Sequence, residues 1–432
     1  MKKVLIISIS TLLVALIIFS AWYFFIREGA ETTTLNPTGD GLPFGSDDSV
    51  NSGGDTTTDN FTPPELGGAR QPTTDELFGV DGMPALDEYG LLTSKSNLFR
   101  ISNTPVAGFV TFIKNGRLTV RYVDRATGHI YDALMPASTS SLPFEKIKVT
   151  NNTLPKVYEA YFKPDGNTVL LRLLKEDSDT VENLSLALTP PKVASGETLY
   201  TASSTALRGD MGAITVLSNN LFFVLQDTLS IVSYTFNGSG TKTLFTSAFT
   251  DWRLTPAGNN LVVYTKASDD ALGYAYTLNA SGGSLTKILG PLNGLTIISN
   301  TSGSKIMYSY VNGNTRGLFI KDIKGTDVLE MSPSTFAEKC LWGIKSVEKV
   351  FCGAPETPLV RGDLDGWYRG TKHLSDRIWL FDTKTETAQI LSEPNKDLEI
   401  DIDFYMPKLS PNEDYLFFIN KTDLSLWALK LE

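Results

Sequence analysis

Histidine and cysteine are nearly absent from this chain, with two of each in 432 residues. That leaves little for a histidine-rich metal centre or for a cysteine nucleophile activated by a nearby imidazole. No run of Lys or Arg stands anywhere. The 38 basic residues face 48 acidic ones, a formal charge of −10. Such a surface repels phosphate backbones, so no nucleic-acid partner is expected. The chain also lacks a nucleophile elbow, a His-Glu-x-x-His pair, a phosphate-binding loop and an Asp-box of the sialidase kind. From Leu98 onward no stretch carries a helical stripe.

Long hydrophobic runs are scarce too, and the exception is informative. Residues 4–26 carry no charge. As a helix they would span roughly 34 Å, enough for a hydrocarbon core of about 30 Å. Trp22 and Tyr23 sit where an interfacial aromatic belt would lie, and Lys2 and Lys3 make the preceding tip positive. Residues 1–28 are therefore expected to be a cytoplasmic tip and an uncleaved anchor in the lipid bilayer, with the N-terminus in the cytoplasm. A cleaved signal peptide is the competing reading; its apolar region should be shorter, and Phe19-Ser20-Ala21 is a poor small-x-small site. Either way the remainder lies outside the cytoplasm. Residues 29–88, rich in Thr, Gly, Asp and Pro, are expected to be a disordered linker.

The rest of the chain is organised around a recurring phrase. Phe162-Lys163-Pro164-Asp165-Gly166 is followed by the apolar run Val169-Leu170-Leu171. It returns as Leu254-Thr255-Pro256-Ala257-Gly258 before Leu261-Val262-Val263, and as Leu409-Ser410-Pro411-Asn412 before Leu416-Phe417-Phe418. Proline presets φ at the second turn position and glycine takes the left-handed one, so each phrase reads as a hairpin turn. The unalternating run after it suits a strand covered on both faces. Aligning on the turn gives seven copies. The first is Arg100–Pro105 with Phe109–Ile113; the sixth, around Leu341 and Val350, has lost the turn. Third and fourth strands follow most hairpins, such as Arg377–Asp382 and Ala388–Leu391.

Four strands per unit imply propeller blades. The Pro-Asp-Gly hairpin followed by Ile378-Trp379-Leu380-Phe381-Asp382 resembles the propeller repeats of the TolB and WD40-like type, over residues 89–432. The resemblance implies an all-β, seven-bladed β-propeller, with six or eight blades as the neighbouring alternatives. It says little of function, because such propellers serve binding, scaffolding and catalysis alike. The seventh unit ends after its third strand. The spare segment Tyr89–Ser94 is expected to supply the fourth and so close the ring.

The degenerate sixth unit carries the chemistry worth naming. Cys340 and Cys352 are equidistant from Ser346, so a hairpin turning there sets them face to face. A cross-strand disulfide is expected, with two buried free thiols as the alternative. The same unit holds the longest insertion, Gly353 to Asp376. Arg361, Asp363, Asp365, Trp367, Tyr368, Arg369 and His373 on it are the candidate binding residues, since Trp, Tyr and Arg dominate binding hot spots. A merely tolerated surface loop is the alternative. Asp363-x-Asp365-Gly366 hints at a calcium loop, but Trp367 and Leu374 stand where oxygen ligands are required, so no metal or cofactor is expected. Asp401-x-Asp403 reads as a solvated strand edge. The expected function is a membrane-anchored, extracytoplasmic module that binds or scaffolds a protein or envelope-polymer partner. The alternative is an extracytoplasmic enzyme, a glycan-directed hydrolase or lyase using carboxylates in the channel.

Overall fold

The computed structural model describes residues 97–136, 144–175, 180–192, 198–249 and 251–431. The chain divides into two compact units, Met1–Ala69 and Arg70–Glu432, and every described residue belongs to the second. The apolar run at 4–26, the linker at 29–88 and the Tyr89–Ser94 segment lie outside the described residues. Among the described residues no helix is long and apolar enough to cross a membrane.

Strands dominate what is described, and they fall into seven antiparallel sheets of four strands each. The innermost strands, in blade order, are Val106–Lys114, Val157–Phe162, Met211–Leu217, Trp252–Ala257, Thr296–Ser299, Cys340–Trp342 and Phe404–Leu409. Each packs against the next, and Phe404–Leu409 packs against Val106–Lys114, so the ring closes. This is a seven-bladed β-propeller. The second strands are buried on both faces, as their unbroken apolar runs predict. Val169, Leu170, Leu171, Val262, Val263, Phe417 and Phe418 are all fully buried. Phe417 packs toward blade 1 and its neighbour Phe418 toward blade 6, because alternate side chains face opposite blades.

The recurring turn behaves differently from copy to copy. In blade 2, Gly166 takes φ +71° and its N–H donates to the Lys163 carbonyl at 2.9 Å. In blade 4 the proline is not in the turn. Pro256 lies within the innermost strand opposite Leu261, and Gly258-Asn259 forms a two-residue turn. A proline fits there because an innermost strand is a sheet edge whose missing N–H points into the channel.

The first unit is also shifted. Arg100–Pro105 is not half of a hairpin with Phe109–Ile113. Blade 1 begins at Val106, and its first turn is Asn115-Gly116, both with positive φ. That dipeptide is a strong hairpin signal, and it sets the turn here where Pro105 does not. The strand Leu98–Ser102 instead joins blade 7, pairing Leu98 with Leu429, Phe99 with Ala428 and Arg100 with Trp427. Closure by an upstream strand is therefore real, and Leu98–Ser102 is the strand that makes it.

Blade 6 has the expected clamp. Cys340 and Cys352 sit directly opposite in register and are joined by a disulfide, with Cα atoms 4.1 Å apart.

Candidate binding chamber at the channel mouth

The second strand of blade 6, Lys349–Pro355, runs back to the end of the ring where the innermost strands begin. The insertion that follows therefore emerges at one mouth of the central channel. It is not a loop. Asp363–Arg369 forms a helix, α1, ended by Gly370 in the left-handed conformation at φ +72°.

Three of the candidate binding residues hold α1 in place. Asp269 of blade 4 accepts the N–H groups of Gly362 at 2.8 Å and Leu364 at 3.3 Å, while its other oxygen pairs with buried Arg316. Asp365 accepts the Asp269 N–H at 2.8 Å. Asp363 accepts the Val360 N–H at 2.8 Å and pairs with Lys372. Arg361 donates to the Gly313 carbonyl at 3.2 Å, and to the Asp269 carbonyl and the Asp270 carboxylate at 2.9 Å each. Arg361 and Asp365 thus fasten the insertion to blades 4 and 5, while Asp363 ties the insertion to itself.

Trp367 lines the inner wall of a chamber at this mouth and is itself packed into the interior. It is a buried plug, 1% exposed, with Phe336 at 5.2 Å and Tyr405 at 5.9 Å between ring centroids. Its indole N–H donates to Asp403 at 2.8 Å. Asp403, expected at a solvated edge, is fully buried at the centre of a network. Lys339 bridges it to Asp376, with both N–O distances 2.6 Å and all three side chains shielded from solvent. Burial pushes the Asp376 carboxyl up to about 6 against the pull of Lys339, and repulsion from Asp403 adds to the rise.

Tyr368 and Arg369 do reach open space, and His373 lies on the rim, half exposed. Tyr368 walls a chamber of about 620 Å³ with Glu159, Tyr161, Arg172, Arg253, Glu338 and Tyr405. An adjoining space of about 550 Å³ shares Glu159, Tyr161, Tyr368, Tyr405 and Lys421.

The two glutamates of the chamber differ in setting. Glu159 is ion-paired with Arg172 at 2.7 Å and accepts the Tyr161 hydroxyl at 3.0 Å. Glu338 accepts two hydroxyls on one oxygen, from Tyr264 at 3.0 Å and Tyr368 at 2.8 Å. Burial holds its carboxyl above the usual range, against those hydrogen bonds and the fields of Arg253 and Arg316. Burial likewise drives Tyr264 and Tyr368 well above the ordinary phenol range and Tyr405 up to about 12, so these are hydrogen-bond donors.

Arg253 stands apart. Among the described residues its side chain makes no hydrogen bond or ion pair, yet its charge acts on Glu338, Tyr264, Tyr368 and Tyr405. Arg172, Arg253, Lys266 and Lys421 line the chamber against Glu159, Glu338 and Asp251, a basic excess inside an acidic protein. Among the described residues no group of His, Cys, Asp and Glu is arranged to hold a metal ion.

Glu159, Arg253 and Tyr405 escaped the sequence reading, although a signal existed. All three fall one or two places after the start of an innermost strand, at matching positions of the repeat. Polar residues recurring there face the channel.

The class is thus defined by the sheet order and the capped mouth: a closed propeller with a ligand-sized chamber under a helical cap. No protein-family model matches the chain, and no curated protein does either. Solved structures do. An oligogalacturonate lyase from Vibrio parahaemolyticus shares 10% identity at a TM-score of 0.48, covering 78% of this chain and 93% of its own. TolB from Acinetobacter baumannii shares 13% at 0.39, covering 61% and 59%. The propeller domain of the Trilobed protease from Pyrococcus furiosus shares 11% at 0.45, covering 76% and 96%. Likenesses of this strength carry no inference about activity, and the propeller assignment stands on the sheet order.

Proposed function

We propose that this protein is a membrane-anchored, extracytoplasmic binding module that seats part of a protein or envelope-polymer partner in the channel mouth. The observation that carries the reading is the chamber itself. It is a pocket of ligand size, walled by aromatic rings and charged groups and given its shape by a purpose-fastened insertion. The charge-free run at 4–26 supports the anchor, and the Cys340–Cys352 disulfide supports an oxidising compartment. The test is co-purification from solubilised membranes with the full chain and with Arg253→Met, which keeps most of the side-chain volume and removes a chamber-wall charge that holds no side-chain partner among the described residues. The partner should be captured by the parent and lost with the variant at unchanged melting temperature. Equal capture by both refutes the chamber as the binding site.

A second reading has one observation in its favour. Glu159 and Glu338 share a cavity but not a setting: Glu159 is ion-paired with Arg172, while burial raises the Glu338 carboxyl. A glycan-directed hydrolase or lyase would use such a difference for its acid and base roles. Turnover of polysaccharide by the parent and its loss in Glu338→Gln would establish it.

A further inference from the structure

The chamber has an unbalanced set of hydrogen-bonding groups, and the imbalance specifies a ligand. Arg253 offers a planar fork of donors with no partner of its own among the described residues. Such a fork fits a planar anion such as a carboxylate in a bidentate pair. Glu338 sits within the reach of its charge. One Glu338 oxygen is saturated by the Tyr264 and Tyr368 hydroxyls, and the other makes no hydrogen bond among the described residues. A carboxyl placed so, with a proton on its free oxygen, donates to an anion rather than repelling it. Glu159 is an acceptor fixed by Arg172 and Tyr161, so the ligand must also bring donors. The rings of Tyr161, Tyr368 and Tyr405 supply faces for a flat, partly apolar body.

We propose that the channel mouth recognises the carboxylate of an acidic sugar, a uronate residue, with Arg253 pairing the anion, the carboxyl of Glu338 donating to it, and Glu159 accepting from sugar hydroxyls. This rests on the channel mouth being the binding site, and it adds the chemistry of what binds. A dianionic phosphate is disfavoured because it brings only acceptors, and Glu159 in the same cavity is an acceptor already held by Arg172 and Tyr161. Binding requires the protonated form of Glu338, whose titration is set by burial against the hydroxyls of Tyr264 and Tyr368 and the charges of Arg253 and Arg316. Its carboxyl is raised, so affinity is highest at acidic pH and falls as pH rises through that raised value.

The experiment is calorimetric or NMR titration of the full chain with glucuronate, glucose, N-acetylglycine and inorganic phosphate between pH 5 and 8. Glucuronate should bind and glucose should bind at least about tenfold more weakly, since a charge-assisted bidentate pair is lost. Arg253→Met should weaken glucuronate by about tenfold or more for the same reason. Glu338→Gln keeps an acceptor for the two tyrosines and presents a permanent N–H donor. It should therefore retain binding and flatten the pH profile, a result that a merely structural role would not produce. Absent glucuronate binding, equal binding of phosphate, or a pH profile unchanged in Glu338→Gln overturns the proposal. Preferential binding of N-acetylglycine overturns the sugar assignment and makes the site one for peptide carboxylates. If the membrane partner is still captured through the chamber while glucuronate fails, the ligand chemistry is wrong and the binding reading stands; if both fail, both fall.

Discussion

Replacing Lys339 with Met should unbalance the buried network in a way that pH can read. Lys339 is the cation between Asp376 and Asp403, 2.6 Å from each, and none of the three side chains touches solvent. Methionine keeps most of the volume and removes the charge, leaving two carboxylates facing each other in the interior. Losing one partner from a buried pair costs about 3–5 kcal/mol at neutral pH. Asp376 already titrates at about 6, and without Lys339 it moves higher. A carboxyl raised in the folded state binds a proton there before it does in the unfolded chain. Its stabilising contribution is therefore present below the unfolded value near 4 and lost as pH rises through about 6. A tenfold difference in proton affinity between the folded and unfolded chain is worth about 1.4 kcal/mol, so this group alone should cost the parent about 3 kcal/mol between pH 4 and pH 7. The variant should lose more and continue losing above pH 7. Urea unfolding followed by tryptophan fluorescence is the assay, because the Trp367 ring lies 5.3 Å from the Lys339 amine. Adding Asp376→Asn should recover most of the loss by leaving a single carboxylate on Trp367. A Lys339→Met protein within about 1 kcal/mol of the parent at pH 7, or with the parent's pH profile, refutes the reasoning.

Two further outcomes follow from the ring. Cys340→Ser with Cys352→Ser should cost about 3 kcal/mol, the loop-closure value for a separation of 12 residues, and mass mapping without reductant should find the bridged peptide in the parent. Deleting Leu98–Ser102 should strip the outer edge of blade 7 and broaden the thermal transition; a truncated chain that melts as sharply as the parent would contradict closure at that seam.

What could be read in advance was whatever depends on neighbours in sequence. Hairpins, unbroken second strands and the disulfide are local, since a turn at Ser346 sets Cys340 and Cys352 opposite whatever surrounds them. The first unit failed because a proline outweighed Asn115-Gly116 in the alignment. The site failed for a different reason. Asp403 is buried by Trp367, 36 residues away, and Lys339, 64 residues away, and both reach it through the insertion and the ring rather than along a strand. The alternation that marks a strand face cannot separate channel from solvent, so Arg253 and Glu159 resemble surface charges until the ring is closed. The insertion was flagged as important, yet its most conspicuous residues proved to fasten it, and the open functional groups come mainly from the blades around it.

The seam in blade 7 has a mechanical side. Leu98–Ser102 is the outermost strand of that sheet, and the chain upstream of Asn97 continues from its end, where the Lys430 N–H donates to the Asn97 carbonyl at 2.8 Å. Among the described residues, a load applied at Asn97 therefore acts on this one strand before it reaches any other part of the ring. A pull along the strand shears its backbone bonds in parallel, whereas a sideways pull opens them singly from Leu98. The seam would thus hold a steady axial load and yield to a lateral one, and because Phe99 and Ile101 pack into blade 1 and Leu98 into blade 6, releasing the strand would uncover the cores on both sides of it.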